Sequence, residues 1–202
     1  SKMLERNSIV PNTICEVGCG AGEILSYLAS QGSGQTSFVG YEISPQAYEI
    51  SKTKTKANLS YFNKDILGSG DDFYDVIMAI DVFEHVEDYF GFLRKVRTKG
   101  SYKIFHIPLD LSVQMVFRSS PIMESRANLG HLHYFTKETA LATLRDTGFE
   151  VLDYFYTSGS LDLPNRGWKA NLLKIPRRLF FSLHQDFTAR VLGGFSLMVL
   201  AK

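Results

Sequence analysis

Between residues 16 and 22 the chain reads Glu16-Val17-Gly18-Cys19-Gly20-Ala21-Gly22, with glycine at every second position from 18. The segment follows a short apolar run, Thr13 to Val17, and leads into Ala21 to Ser30, where Ile24, Leu25 and Leu28 recur at helical spacing. Glycines here let the backbone turn tightly and approach a ligand closely. Amides at the start of the helix then favour an anionic group. Nicotinamide and flavin proteins share this strand–turn–helix logic, so the turn points to a bound anionic group and the following strand ends narrow it.

The following segments keep the same rhythm. Ser37 to Ile43 reads as a strand, and Ser44-Pro45 as an N-cap and first helical residue of a helix running to about Ala57. Leu59 to Asp65 is a third strand. Phe73 to Ile80 is almost wholly apolar, as expected of a strand buried on both faces. A helix from about Asp88 to Thr98 and a strand from Ser101 to Ile107 complete the regular part. Thr136 and Thr139 stand at the start of another helix, which Gly148 ends. Strands follow at Phe149 to Tyr156 and Phe195 to Leu200. This alternation predicts an α/β fold with a parallel sheet covered on both faces, and ligands at the strand C-termini.

Three of those strand ends carry matching chemistry. The glycine spacing is G-x-G-x-G, without the third glycine of a dinucleotide fingerprint. Glu42, 20 residues after Gly22, ends the second strand, where a carboxylate can accept both hydroxyls of a ribose. Asp65 ends the third, where it can accept from an adenine amino group. The set suits adenosine carrying a small group with a carboxylate.

At these residues the chain resembles the class I S-adenosylmethionine-dependent methyltransferases, in the small-molecule branch. Glu16 to Gly22 match that family's first motif. Asp75 to Val86, Gly130 to Thr136 and Thr147-Gly148-Phe149 also resemble it, and the likeness spans about residues 13 to 157. The resemblance implies a Rossmann-like doubly wound sheet of seven strands, mostly parallel with an antiparallel last strand. It implies S-adenosylmethionine as cofactor and S-adenosylhomocysteine as product. Glu16, Gly18, Cys19, Gly20, Gly22, Glu42, Ile43, Asp65, Ile66, Asp81 and His85 fall at its cofactor-binding positions. Asp81 leaves the fourth strand on the ligand edge, with capping of the next helix as its alternative role. Cys19 is expected to act through its backbone and Cys15 to lie in the core.

Transfer to a hydroxyl benefits from a base of near-neutral pKa, a role suited to histidine. Of five histidines, His131 is the first choice and His106 the second, while His85 is expected to shape the cofactor pocket. No Cys pair or H-x-x-x-H pattern supports zinc, so no metal is expected. Leu109 to Leu129 is long for a connection and reads as a lid over the acceptor, with Arg118 and Arg126 available to an anionic group. Residues 166 to 190 hold six basic residues against Asp186 alone, with apolar residues at helical spacing broken by Pro176. That segment packs on the sheet or touches an anionic membrane.

The chain of 202 residues is expected to form one methyltransferase domain. Its net charge of +1, with no Asn-Pro-Pro-Tyr or Asp-Pro-Pro-Tyr motif, disfavours a nucleic-acid substrate. Two cysteines and no long apolar run point to the cytoplasm, with membrane contact at most peripheral. Met3 behind Ser1-Lys2 suggests a trimmed start. The expected acceptor is a small molecule or glycan, methylated on oxygen; a quinone, other aromatic or lipid-linked acceptor is the alternative. A non-catalytic cofactor-binding module and a nicotinamide dehydrogenase are the competing classes, and oligomeric state stays open.

Overall fold

The computed structural model describes residues 2–31, 34–68, 70, 72–158, 177 and 179–202. Its centre is one seven-stranded sheet in the order β3-β2-β1-β4-β5-β7-β6. The strands are β1 (Thr13–Val17), β2 (Ser37–Tyr41), β3 (Leu59–Phe62), β4 (Tyr74–Ile80), β5 (Gly100–Pro108), β6 (Val151–Thr157) and β7 (Ser196–Ala201). Strands β1 to β5 pair in parallel, and β7 runs antiparallel to both β5 and β6. The strand order reverses between β1 and β4, so a crevice opens beyond the C-termini of those two strands.

The pleat decides which residues meet which helices. On one face Cys15, Val17, Ile77, Ala79, Phe105 and Ile107 join Leu93 and Val96 of α4 (Tyr89–Arg97) and Ala140, Leu141 and Leu144 of α7 (Lys137–Asp146). On the other, Ile14, Val76, Met78 and Ile104 meet Met3 and Leu4 of α1 (Lys2–Arg6) and Leu25 and Ala29 of α2 (Glu23–Gln31). The helices before the reversal lie on the opposite face from those after it, as right-handed crossovers require.

Local chemistry sets the helix starts. The Ser44 side chain accepts from Ala47 N ahead of α3 (Pro45–Lys52), and Asp88 accepts from Gly91 N ahead of α4. Thr136 and Thr139 form a reciprocal capping box on α7. Several expected boundaries shorten. Helix α3 ends at Lys52 rather than near Ala57, and β3 ends at Phe62 rather than Asp65. Residues 109–130 hold α5 (Val113–Arg118), α6 (Ser120–Glu124) and a π-helical turn, Ser125–Leu129. A last helix, α8 (Gln185–Leu192), leads to β7 and is capped by His184. Of the basic segment, Arg166, Trp168, Lys169, Leu172, Lys174, Ile175, Pro176 and Arg178 lie outside the described residues. No helix among the described residues is long and apolar enough to cross a membrane.

Candidate active site

The glycine loop is held from beneath by β2. The amides of Gly18 and Cys19 both donate to the Tyr41 carbonyl, at 2.8 and 3.1 Å. Gly18, Gly20 and Gly22 all have positive φ, at 69°, 53° and 78°. Their needs differ. A Cβ on Gly22 would lie 2.7 Å from the Tyr61 ring, whereas one on Gly20 would meet nothing within 4 Å. Gly20 therefore borders open space, and Gly22 keeps the helix close to the sheet.

Glu42 lies one residue beyond β2 and is buried. One carboxylate oxygen accepts from Gly20 N at 2.8 Å and the other from Ser44 N at 2.7 Å. It thus binds the glycine loop to the start of α3. Each oxygen has a second lone pair, which leaves capacity for a ribose hydroxyl. Asn63 donates to the Glu42 carbonyl at 2.8 Å. Ile43 is 73% exposed, an apolar side chain held in solvent beside that carboxylate.

Asp65 stands three residues past β3 rather than on it. Its carboxylate accepts from Leu67 N at 2.8 Å, at the head of a 3-10 turn, Ile66–Gly68. Ile66 is fully buried, so its side chain belongs to the core and only its backbone is left for a ligand. Cys19 is enclosed in the same way. Its amide is taken by Tyr41 and its thiol is buried, so it contributes the shape of the loop. Burial pushes that thiol up to about 12 and the Cys15 thiol higher still, so neither is a nucleophile.

Glu16 is 2% exposed, and one of its oxygens has no hydrogen-bond partner among the described residues. Burial pushes its carboxyl up to about 8. An orphaned acid behind the glycine loop, an open approach at Gly20 and an apolar Ile43 beside Glu42 fit a cofactor with an ammonium group, a ribose and an adenine ring. Amides at the start of α2 would be available to that cofactor's carboxylate.

Further along the same edge the structure makes two carboxylate–histidine pairs. Asp81, just past β4, has φ 52°, and its Oδ1 lies 2.6 Å from His106 Nδ1. A carboxylate only accepts, so Nδ1 donates and the Nε2 of a neutral ring accepts from Thr157 Oγ1, at 2.8 Å. The ends of β4, β5 and β6 meet at this imidazole. Asp81 does not cap the following turn, Phe83–His85, whose N-cap is Val82.

The second pair is His131 Nδ1 with Asp110 Oδ2, also at 2.6 Å. The His131 ring packs edge-on to His85, with centroids 4.9 Å apart. Beside them Glu84 is fully buried, neither of its carboxylate oxygens has a hydrogen bond among the described residues, and burial pushes it up to about 8. His133 is structural, with Nε2 2.9 Å from the Val86 carbonyl.

Phe135 is in the core, the Tyr156 hydroxyl donates to Asp186 at 2.6 Å, and Tyr134 donates to the His131 carbonyl. Arg118 and Arg126 are exposed. Sequence reasoning passed over Asp110, Thr157 and Glu84. Asp110 and Thr157 act through partners 21 and 51 residues away, which no spacing rule reaches. Glu84 stands in plain view beside His85, but its burial is tertiary.

A family model described as a methyltransferase domain matches residues 1–154. Over 86 residues the chain is 34% identical to the ubiquinone biosynthesis O-methyltransferase of Rickettsia typhi, a stretch covering 42% of this chain and 35% of that protein. The chain thus matches about a third of that relative's length. In fold it is similar to magnesium protoporphyrin IX methyltransferase from Synechocystis PCC 6803, with bound S-adenosylhomocysteine: TM-score 0.65, 16% identity, 99% of this chain and 78% of that one. It is also similar to the N-methyltransferase NodS of Bradyrhizobium japonicum, again with S-adenosylhomocysteine: TM-score 0.61, 15% identity, 99% and 83% of the two chains. A methyltransferase from Archaeoglobus fulgidus gives TM-score 0.63 at 17% identity, over 100% and 91%. With three-quarters of its length matched by the family model and the motifs in place on the sheet, the chain belongs to the methyltransferase-domain family, among the class I S-adenosylmethionine-dependent methyltransferases.

Proposed function

We propose that the chain transfers a methyl group from S-adenosylmethionine to a hydroxyl oxygen of a small molecule. The family implies that cofactor. When bound, S-adenosylmethionine supplies a methyl group on a sulfonium, whose charge already activates the leaving group. The protein's task is then alignment, exclusion of water and removal of one proton.

The observation that carries this reading is the Asp81–His106 pair at the end of β4, beside the glycine loop. His106 Nε2 takes the acceptor's hydroxyl proton in place of its bond to Thr157. Asp81 holds Nδ1 and offsets the charge the ring gains. His131, held by Asp110, is a second imidazole of the same kind on the acceptor side. Removing a general base costs roughly 100-fold or more in turnover. His106→Ala is therefore expected to lose that much kcat while keeping its affinity for S-adenosylhomocysteine. Unchanged kcat would remove His106 from the mechanism. The same assay on His131→Ala tests the other ring.

Within small molecules we favour a hydroxylated aromatic such as a quinol over a glycan. The 34% match to a ubiquinone O-methyltransferase supports this. So do the exposed apolar side chains: Val113, Val116, Phe117, Met123 and Leu129 in the segment after β5, and Leu179, Leu183 and Phe187 near the C-terminal end. Exposed apolar clusters of this kind mark ligand or membrane contacts. Exposed apolar side chains of this kind, in a chain whose sequence carries six basic residues between 166 and 190, suit peripheral contact with anionic lipid. Pelleting with anionic liposomes at low salt is the expected result, and no pelleting removes that contact. Transfer of label from methyl-labelled S-adenosylmethionine to a catechol probe, with none to a sugar probe, tests the acceptor class; the reverse preference contradicts it.

A further inference from the structure

Burying a carboxylate without a partner is costly, and a buried charge needs a proton, a counter-charge or a metal. Glu84 is 0% exposed, and both its oxygens lack hydrogen bonds among the described residues. The nearest basic group is His85, whose Nε2 is 3.8 Å from Glu84 Oε1. A third group converges on the same point: one ligand atom from each of Glu84, His85 and His131 lies within 4.8 Å of the other two.

A metal-binding histidine needs its other ring nitrogen held. Asp110 holds Nδ1 of His131 at 2.6 Å, which fixes the tautomer and leaves Nε2 with its lone pair. The backbone pins the parts together. The Glu84 carbonyl accepts from Leu132 N at 2.8 Å and from His133 N at 3.1 Å, so the loop carrying His131 is fastened to the turn carrying Glu84 and His85. The loop enters through Gly130 at φ 77°.

We propose that Glu84, His85 and His131 hold a divalent cation of the zinc class, with Asp110 as the residue that positions His131. Two imidazoles and a carboxylate suit a borderline ion. Bonds of about 2.0–2.1 Å in tetrahedral geometry separate the ligand atoms by roughly 3.4 Å, so the group need close by little more than an ångström. Three protein ligands leave a coordination position open to an oxygen donor. Under this assignment His131 is a ligand and His106 keeps the proton-accepting role. That last division of labour rests on the proposed hydroxyl transfer; the cation site itself does not. No zinc signature shows in the chain because His131 lies 46 residues beyond His85 and Glu84 is recognisable only by its burial.

The test is calorimetric titration of Zn2+ into the full chain after treatment with a chelator. The expected result is one Zn2+ per chain. Asp110→Asn should weaken it by about tenfold, the cost of losing a group that only orients a ligand, and Glu84→Gln and His85→Ala should each weaken it by at least as much. Melting curves check that each variant is folded. His85 is the more exposed ligand, so His85→Ala carries the test if Glu84→Gln does not fold. No one-site binding by the unaltered chain, or the same isotherm in the folded variants, overturns the proposal. Because the readout is metal binding, neither result depends on the acceptor.

Discussion

Glu42 joins two jobs in one carboxylate. It ties Gly20 and Ser44 together by their amides and leaves lone pairs toward the crevice. Hydrogen bonds to a charged group are worth about 1.5–3 kcal/mol each. Glu42→Ala should therefore weaken S-adenosylhomocysteine binding by roughly tenfold or more; equal affinity would contradict the ribose assignment. Glu16 makes a pH prediction. Its carboxyl is raised from 4.5 to about 8 by burial, so across that window the folded chain holds a proton that the unfolded chain has lost. Stability of the cofactor-free, metal-free protein should fall as pH rises from about 4.5 to about 8 and level off above. Glu84 adds a slope of the same sign. Denaturant melts of Glu16→Gln should show a shallower fall, and an unchanged slope would remove Glu16 as a source. An ammonium group beside Glu16 favours its ionised form, so affinity for S-adenosylhomocysteine should rise toward about pH 8 in the parent chain and less in the variant.

At the scale of elements, the caps were readable because their chemistry is local. Ser44-Pro45 and the Thr136–Thr139 box need only neighbouring residues, and both start helices where expected. Thr136→Ala should cost about 1 kcal/mol, read as a lower melting midpoint. Gly22→Ala should cost roughly 1–3 kcal/mol, because it combines a left-handed backbone with a Cβ 2.7 Å from Tyr61. The segment 109–130 hid its helices for a physical reason. Helices α5 and α6 bury no residue, so their apolar side chains follow no core-facing period. Helix α1 was hidden because it is only five residues long, and its place is set by Met3 and Leu4 packing into the core. The glycine loop and Glu42 showed in the sequence because each closes a strand. The Asp81–His106 and Asp110–His131 pairs did not, because each forms only once distant strand ends are brought together.

For the whole molecule, the reversal of strand order between β1 and β4 is what makes these residues one site. It opens the crevice at the edge where the glycine loop, Glu42 and Asp65 stand on one side and Asp81, His106 and His131 on the other. In the proposed function the first group holds the cofactor, and the second serves the acceptor and its proton. The most direct test of that division follows the label from methyl-labelled S-adenosylmethionine in extracts of the source cells, with His106→Ala alongside. The account predicts label in a small, protein-free product from the parent chain and far less from the variant. S-adenosylhomocysteine binding with no label transferred to any acceptor would contradict it and leave a cofactor-binding module that does not catalyse.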